Sequence, residues 1–170
     1  MLESECDLVD IKDLFGYNWY SRRRFLESMA EIPWETVTEK CGASFDSIRN
    51  IYLHSLQVEH VVIRWLGGKS AEGIYGSPFD KYTSVNTIKE YSDTVEKETN
   101  QYLDTLTKEK LDSLFEFKGG PWDKKRYRIE DVLILLVEEE IHHRGELLCI
   151  YWQHDIEPPF TSYLNYKDQV

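Results

Sequence analysis

Apolar residues recur along this chain at the three- and four-residue intervals of an α-helix in four long stretches, with polar or glycine-bearing connections between them. The first stretch runs from about Ile11 to Ile32 and stops before Pro33, with Leu14, Tyr17, Asn18, Ser21, Phe25 and Met29 as its inward stripe. The second starts near Ser44, an N-cap residue type, and reaches Leu66, where Gly67-Gly68 ends it. Its stripe reads Ile51, His54, Val58, Val61, Trp65. The third covers Ser84 to Leu106 with Val85, Ile88, Tyr91, Val95, Tyr102 and Leu106 inward and many charges outward, the pattern of an amphipathic surface helix. The fourth covers about Glu130 to His154, with Val132, Leu136, Glu139, His143, Leu147 and Ile150 on one face. Between the last two, Leu114 to Trp122 alternates and then turns, which predicts a short strand or hairpin.

Four helices in 170 residues predict an all-α protein, a four-helix bundle forming one domain over residues 1–170. The bundle is up-down where connections are short, and the longer segments after Leu66 and Leu106 become crossovers or lids. Hydrophobic residues at 41 % and aromatics at 14 % are enough for a packed core, which excludes a disordered chain.

The chemistry comes from polar residues standing where the period demands apolar ones. Glu139 and His143 lie between Leu136 and Leu147, four residues apart and so on one face of the helix; His54 lies between Ile51 and Val58. Burying such groups is costly unless they are paired or hold a metal. A single histidine on an apolar face is more often a satisfied core residue, and a Glu and His at this spacing can simply share a hydrogen bond. Two imidazoles and a carboxylate on two core stripes favour an open metal site, provided the second and fourth helices are neighbours. His142 sits about 100° around the helix from His143 and points elsewhere. Glu138 and Glu140 read as surface or helix-contact charges, His60 as an exposed or outlying residue, His154 as a helix-end cation, and Gly145 as a point of close helix approach.

Charge narrows the partners. With 31 acidic and 20 basic residues the formal net charge is -11, a surface that repels phosphate backbones, so nucleic acid is not an expected partner. The basic clusters Arg22-Arg23-Arg24 and Lys124-Lys125-Arg126 with Arg128 read as solvated faces or turns. Cys6, Cys41 and Cys149 are odd in number and far apart, which fits a reducing compartment without disulfides; Cys149 reads as a small core residue. The acidic N-terminus does not match a signal peptide and no apolar run reaches membrane-spanning length, so a cytoplasmic protein with no membrane partner is expected.

The segment Glu139-x-x-x-His143-Arg144-Gly145-Glu146-Leu147-Leu148, followed by Ile156-Glu157-Pro158-Pro159, resembles the closing motif of the DinB/YfiT-like superfamily, in which a histidine pair four residues apart runs into Arg-Gly-Gln. Tyr17-Asn18-Trp19-Tyr20-Ser21-Arg22-Arg23-Arg24-Phe25-Leu26 looks like that family's first-helix signature, and Ile51-Tyr52-Leu53-His54 with Glu59-His60 looks like its first metal histidine and the stretch beyond. The resemblance spans nearly the whole chain. It implies a four-helix bundle, often a homodimer, that holds one divalent cation. The family's three metal histidines fall on His54, Glu139 and His143, so the middle ligand is a glutamate here, and Glu146 replaces the usual Gln. Zinc or nickel is the implied ion, with iron or manganese as the alternative that a carboxylate ligand admits.

Characterised members of that family act on low-molecular-weight thiols, as bacillithiol S-transferases do, or isomerise with mycothiol; the damage-inducible name does not denote DNA binding. The resemblance therefore implies an enzyme that activates water or a thiol on a metal, a hydrolase or thiol S-transferase with a small-molecule substrate. Tyr17, Asn18, Ser21 and Glu59 are the acid or base candidates by helix placement. Arg144 is a candidate for binding an anionic substrate, or else a salt-bridge partner. The competing expectation is a non-catalytic helical stress-response or interaction protein with a structural or vestigial metal site.

Overall fold

The computed structural model describes residues 10–170; Cys6 and the acidic N-terminal segment lie outside them. Four long helices carry the architecture: α1 (Ile11–Ala30), α3 (Ile48–Leu66), α4 (Val85–Leu103) and α6 (Ile129–Gln153). Short helices α2 (Trp34–Thr38), α5 (Lys108–Asp112) and α7 (Tyr163–Lys167) decorate them. The alternating segment after α5 forms β1 (Leu114–Glu116), paired antiparallel with β2 (Arg126–Arg128) and with Phe115 opposite Tyr127. Among the described residues no helix is long and apolar enough to cross a membrane.

Helix starts follow their caps. Asp10 accepts from the Lys12 amide at 2.8 Å, and Ser84 and Thr87 form a reciprocal capping box at the head of α4. The second helix begins later than its sequence suggests, because Ser47, and not Ser44, accepts from the Asn50 amide. The Ser44 hydroxyl instead donates to Glu146 across the bundle. The first and third helices stop at Ala30 and Leu103, short of Ile32 and Leu106.

The helices form a ring in which α3 and α1 are diagonal and each touches α4 and α6. Tyr52 stands beside Ser92 and Glu59 beside Thr99, in the same order along both helices, so α3 and α4 run parallel. The segment after Leu66 is therefore a crossover that returns the chain to the far end of the bundle. The segment after α4 reverses direction through α5 and the β-hairpin. Phe15 and Trp19 of α1 share a cluster with Val62 and Ile63 of α3 and with Ile129, Val132 and Leu133 of α6. Phe25, Leu26 and Met29 share another with Ile51, Leu53, Leu147, Ile150 and Tyr151. Hence α6 runs parallel to α1 and antiparallel to α3.

The two apolar clusters are separated by a belt of buried polar residues that includes Asn18, Ser21, Arg22, Glu59, Thr99, Glu140 and His143. Because α3 packs on both α4 and α6, its buried face is wider than one stripe, and Tyr52, Leu53, Leu56, Glu59 and His60 are buried with the expected Ile51 and Val61.

Candidate metal centre

His54 from α3 and Glu139 and His143 from α6 converge on the belt, each offering a ligand atom within 4.8 Å of the other two. His143 is buried, while His54 and Glu139 are half-buried. The His143 Nε2 lies 3.6 Å from a Glu139 carboxylate oxygen, and the two imidazoles meet edge to face with centroids 4.8 Å apart. Ligands about 2.0–2.2 Å from a tetrahedral ion lie about 3.3–3.6 Å from one another, so a small side-chain adjustment brings all three into range. Phe45, in the loop before α3, stacks on His54 at 3.8 Å and meets His143 edge-on. That stack fixes the ring plane of His54 from outside the helix.

Glu146 completes the arrangement. Its carboxylate lies 2.7 Å from His143 Nδ1 and accepts the Ser44 hydroxyl at 2.8 Å. A carboxylate on one ring nitrogen favours the proton there and turns the other nitrogen's lone pair toward Glu139 and His54, the usual support for a metal-binding histidine. Burial, reinforced by the charge of His143, pulls the His54 pKa down to about 4, which keeps that imidazole neutral. For His143, burial opposes the charged form but the facing carboxylates of Glu139 and Glu146 outweigh it and raise the pKa. The facing His143 imidazole lowers Glu139, and at Glu146 the bonds from His143 and Ser44 overcome the effect of burial and lower it too. The donor set is thus one neutral imidazole, a second oriented by a carboxylate, and an ionised glutamate, which fits a divalent cation. His142, His143 and Glu146 also come within ligand spacing, but on one helix and with His142 exposed.

The five acid, base and anion-binding candidates make other contacts. Glu59 is buried against Arg22 at 2.6 Å and accepts the Thr99 hydroxyl at 2.6 Å. Asn18 is buried with neither side-chain atom partnered. Tyr17 donates to the Thr161 carbonyl at 2.7 Å, and its ring carries the Arg144 guanidinium at 4.6 Å. Ser21 donates back to the Tyr17 carbonyl at 3.0 Å. Arg144, read as an anion-binding residue or a salt-bridge partner, makes a cation–π contact and, among the described residues, no salt bridge.

Several expected surface residues are interior. Arg22, read with its neighbours as a solvated cluster, is 2 % exposed and clamps Glu140 through Nε at 2.9 Å and through its terminal nitrogen at 2.8 Å. Glu140 is buried for the same reason. His60 is buried too, with Nδ1 3.2 Å from the Tyr91 hydroxyl and Nε2 3.6 Å from Glu98. Conversely Cys149 is exposed, and Gly145 is exposed with open space where a Cβ would stand, so it mediates no close approach.

His54 and Glu139 open onto a cavity of about 140 Å³ bounded by α3, the crossover and the turn after β1. A larger hollow of about 230 Å³ beside Arg64 and Glu98 touches no member of the triad.

The DinB family pattern matches residues 4–169. The chain belongs to the DinB family. It is 24 % identical over 151 residues to the uncharacterized protein YizA of Bacillus subtilis (strain 168), covering 88 % of this chain and 91 % of that protein. The crystal structure of a DinB-like protein from Bacillus cereus ATCC 10987 superimposes with a TM-score of 0.70 at 18 % identity, covering 89 % of this chain and 95 % of the other. At that identity the likeness bears on the fold, which is the all-α bundle predicted by the periodicity and the DinB-like fold implied by the resemblance.

Proposed function

We propose that this DinB-family chain is a divalent-metal-dependent enzyme acting on a small molecule through an activated water or thiol, as a hydrolase or a thiol S-transferase. The observation that carries the reading is the convergence of His54, Glu139 and His143 at the mouth of a cavity, with Glu146 orienting His143 from behind. When bound, a divalent ion lowers the pKa of a water or thiol enough to make it a nucleophile near neutral pH. The chain's part is to keep His54 neutral, to hold the His143 proton on Nδ1 through Glu146, and to leave the cavity side of His54 and Glu139 open. Zinc or nickel is the proposed ion, with iron or manganese next because of the carboxylate. The protein acts in the cytoplasm as a homodimer in this reading, and the exposed Ile134, Ile141 and Trp152 of α6 are the apolar surface that such pairing would cover.

The second reading, a non-catalytic helical protein, has one observation in its favour: His143 already bridges Glu139 and Glu146, and these contacts tie the site together without an ion. Elemental analysis of purified protein separates the two. About one divalent ion per chain is expected in wild type and in His142→Ala, and a sharp loss in His143→Ala and His54→Ala. Equal, trace metal in all four would refute the metal centre.

A further inference from the structure

The cavity beside the triad is walled by Val58 and Trp65 of α3, Tyr75 of the crossover, and Phe117 and Trp122 flanking the Gly119-Gly120-Pro121 turn. Phe117 is wedged between two of these rings, edge-on to Trp65 at 6.5 Å and tilted against Trp122 at 5.5 Å, and is itself 2 % exposed. The wall is therefore packed in place from below. Gly120, at φ 71°, makes the turn that carries Trp122 over the opening. Among the described residues no lysine or arginine lines the cavity, and its only carboxylate and imidazole are those of Glu139 and His54. A phosphate or carboxylate placed among the Val58, Trp65, Phe117 and Trp122 walls, away from His54 and Glu139, would lose water and find no lysine or arginine to pair with, which is costly. An apolar group of matching size is instead favoured there, because it leaves water at no such cost. The volume of about 140 Å³ is close to that of an apolar protein cavity that takes up benzene, roughly 150 Å³.

We infer that this cavity seats an uncharged, ring-sized apolar group of the substrate, aromatic or branched aliphatic, while the substrate's polar reacting end reaches His54 and Glu139. The inference rests on the reading of the triad as a metal centre only for where the reacting end lies; the cavity's own preference stands on its walls. Trp65, Phe117 and Trp122 then determine specificity, and a charged thiol cosubstrate keeps its polar body outside the cavity.

Two measurements on the full chain test it, chosen so that failure of the metal centre is told apart from failure of the cavity. In metal-loaded protein, benzohydroxamate and acetohydroxamate present the same chelating group with a phenyl or a methyl tail. The phenyl compound is expected to bind at least about tenfold tighter. Val58→Phe, which fills the cavity one helical turn from His54, should bring that ratio to about one with metal content unchanged. Trp122→Ala serves as a second variant should Val58→Phe fail to fold, and should weaken only the phenyl compound. In metal-stripped protein, benzyl alcohol should shift the indole N–H resonances of Trp65 and Trp122 in wild type and lose that effect in Val58→Phe. Equal hydroxamate affinities in wild type, or indole signals unmoved by benzyl alcohol, overturn the inference; so does a larger indole shift with tetramethylammonium, which would assign the aromatic walls to a cation. If no metal is taken up, the metal reading fails and the benzyl alcohol titration alone decides the cavity.

Discussion

Glu139 and Glu140 are neighbours on α6 and meet opposite fates. Glu140 turns toward α1 and is sealed with Glu59 around Arg22, whose side chain is 3 % exposed, so the charges of that cluster are neutralised mainly by one another. Glu139 turns toward α3, half-open to a cavity, and faces two imidazoles where no described Lys or Arg lines the site. A step of about 100° along one helix thus separates a cluster whose two carboxylates share a cation supplied by the protein from one whose donors suit an ion from solution. The first kind of cluster holds helices in register; the second can do chemistry. Buried polarity alone does not distinguish them, but the partner set does.

The comparison breaks most visibly at Arg22. Arg22→Leu leaves two buried carboxylates without their cation, and denaturant unfolding should show a loss of about 3–5 kcal/mol, while any protein that stays folded keeps its metal. A loss below about 1 kcal/mol would mean that the sealed cluster is not what fixes α1 against α3 and α6. The open site should behave in reverse. Adding zinc at about 100 times its Kd to chelator-stripped protein should raise stability by about 2.7 kcal/mol, and His143→Ala should abolish that gain with only a small change in the metal-free protein. Glu146→Gln keeps the shape but removes the carboxylate behind His143, and a fall in metal affinity of about 10- to 100-fold is expected by competition with a chelator.

Two finer tests sharpen the contrast. Glu139→His should retain the ion and shift preference toward zinc or nickel over iron and manganese, and Glu139→Gln should weaken binding of all four, measured by metal competition. The belt also contains a titrating group outside both clusters. Burial lowers the pKa of His60 against the opposing pull of Glu98, so the folded state takes up its proton later than the unfolded chain does. Stability from this group is complete above the ordinary histidine pKa of about 6.5 and declines as pH falls below it. His60→Gln should flatten the stability profile over that acid range, as followed by thermal melts at stepped pH.

How legible the molecule was in its sequence depended on how many partners each helix has. The bundle itself and most of the α4 stripe followed from periodicity, as did the meeting of His54 with Glu139 and His143, because a polar residue flanked by apolar ones on a stripe can be seen in one dimension. On α1 the stripe found Asn18, Ser21, Phe25 and Met29 but passed over the buried Phe15, Trp19, Tyr20 and Leu26. Arg22 was hidden by its neighbours: three arginines in a row read as a basic face, although Arg22 stands four residues after the inward Asn18. His60 was missed, and Glu140 was left open between a surface and a helix-contact charge, because α6 and α3 each bury more than one face, and a single stripe describes only one. The role of Glu146 had a signal, three residues after His143 on the same face, yet its contact with Ser44 depends on a loop whose position only the fold determines. Cys149 reads as core from composition alone and lies on the outer face of α6.

The parallel arrangement of α3 and α4 has a consequence for chain length. To return beside a helix of 19 residues, the crossover must span about 28 Å, and residues 67–84 fully extended would reach about 60 Å. The connection is about twice as long as the topology requires. The surplus is what sends Tyr75 over the cavity mouth and lets the Ser77 carbonyl accept from Gln57 at 3.0 Å. Trimming or lengthening this strap would leave the four helices connected as before and redraw one wall of the cavity, so the bundle and its selectivity are free to diverge at separate rates.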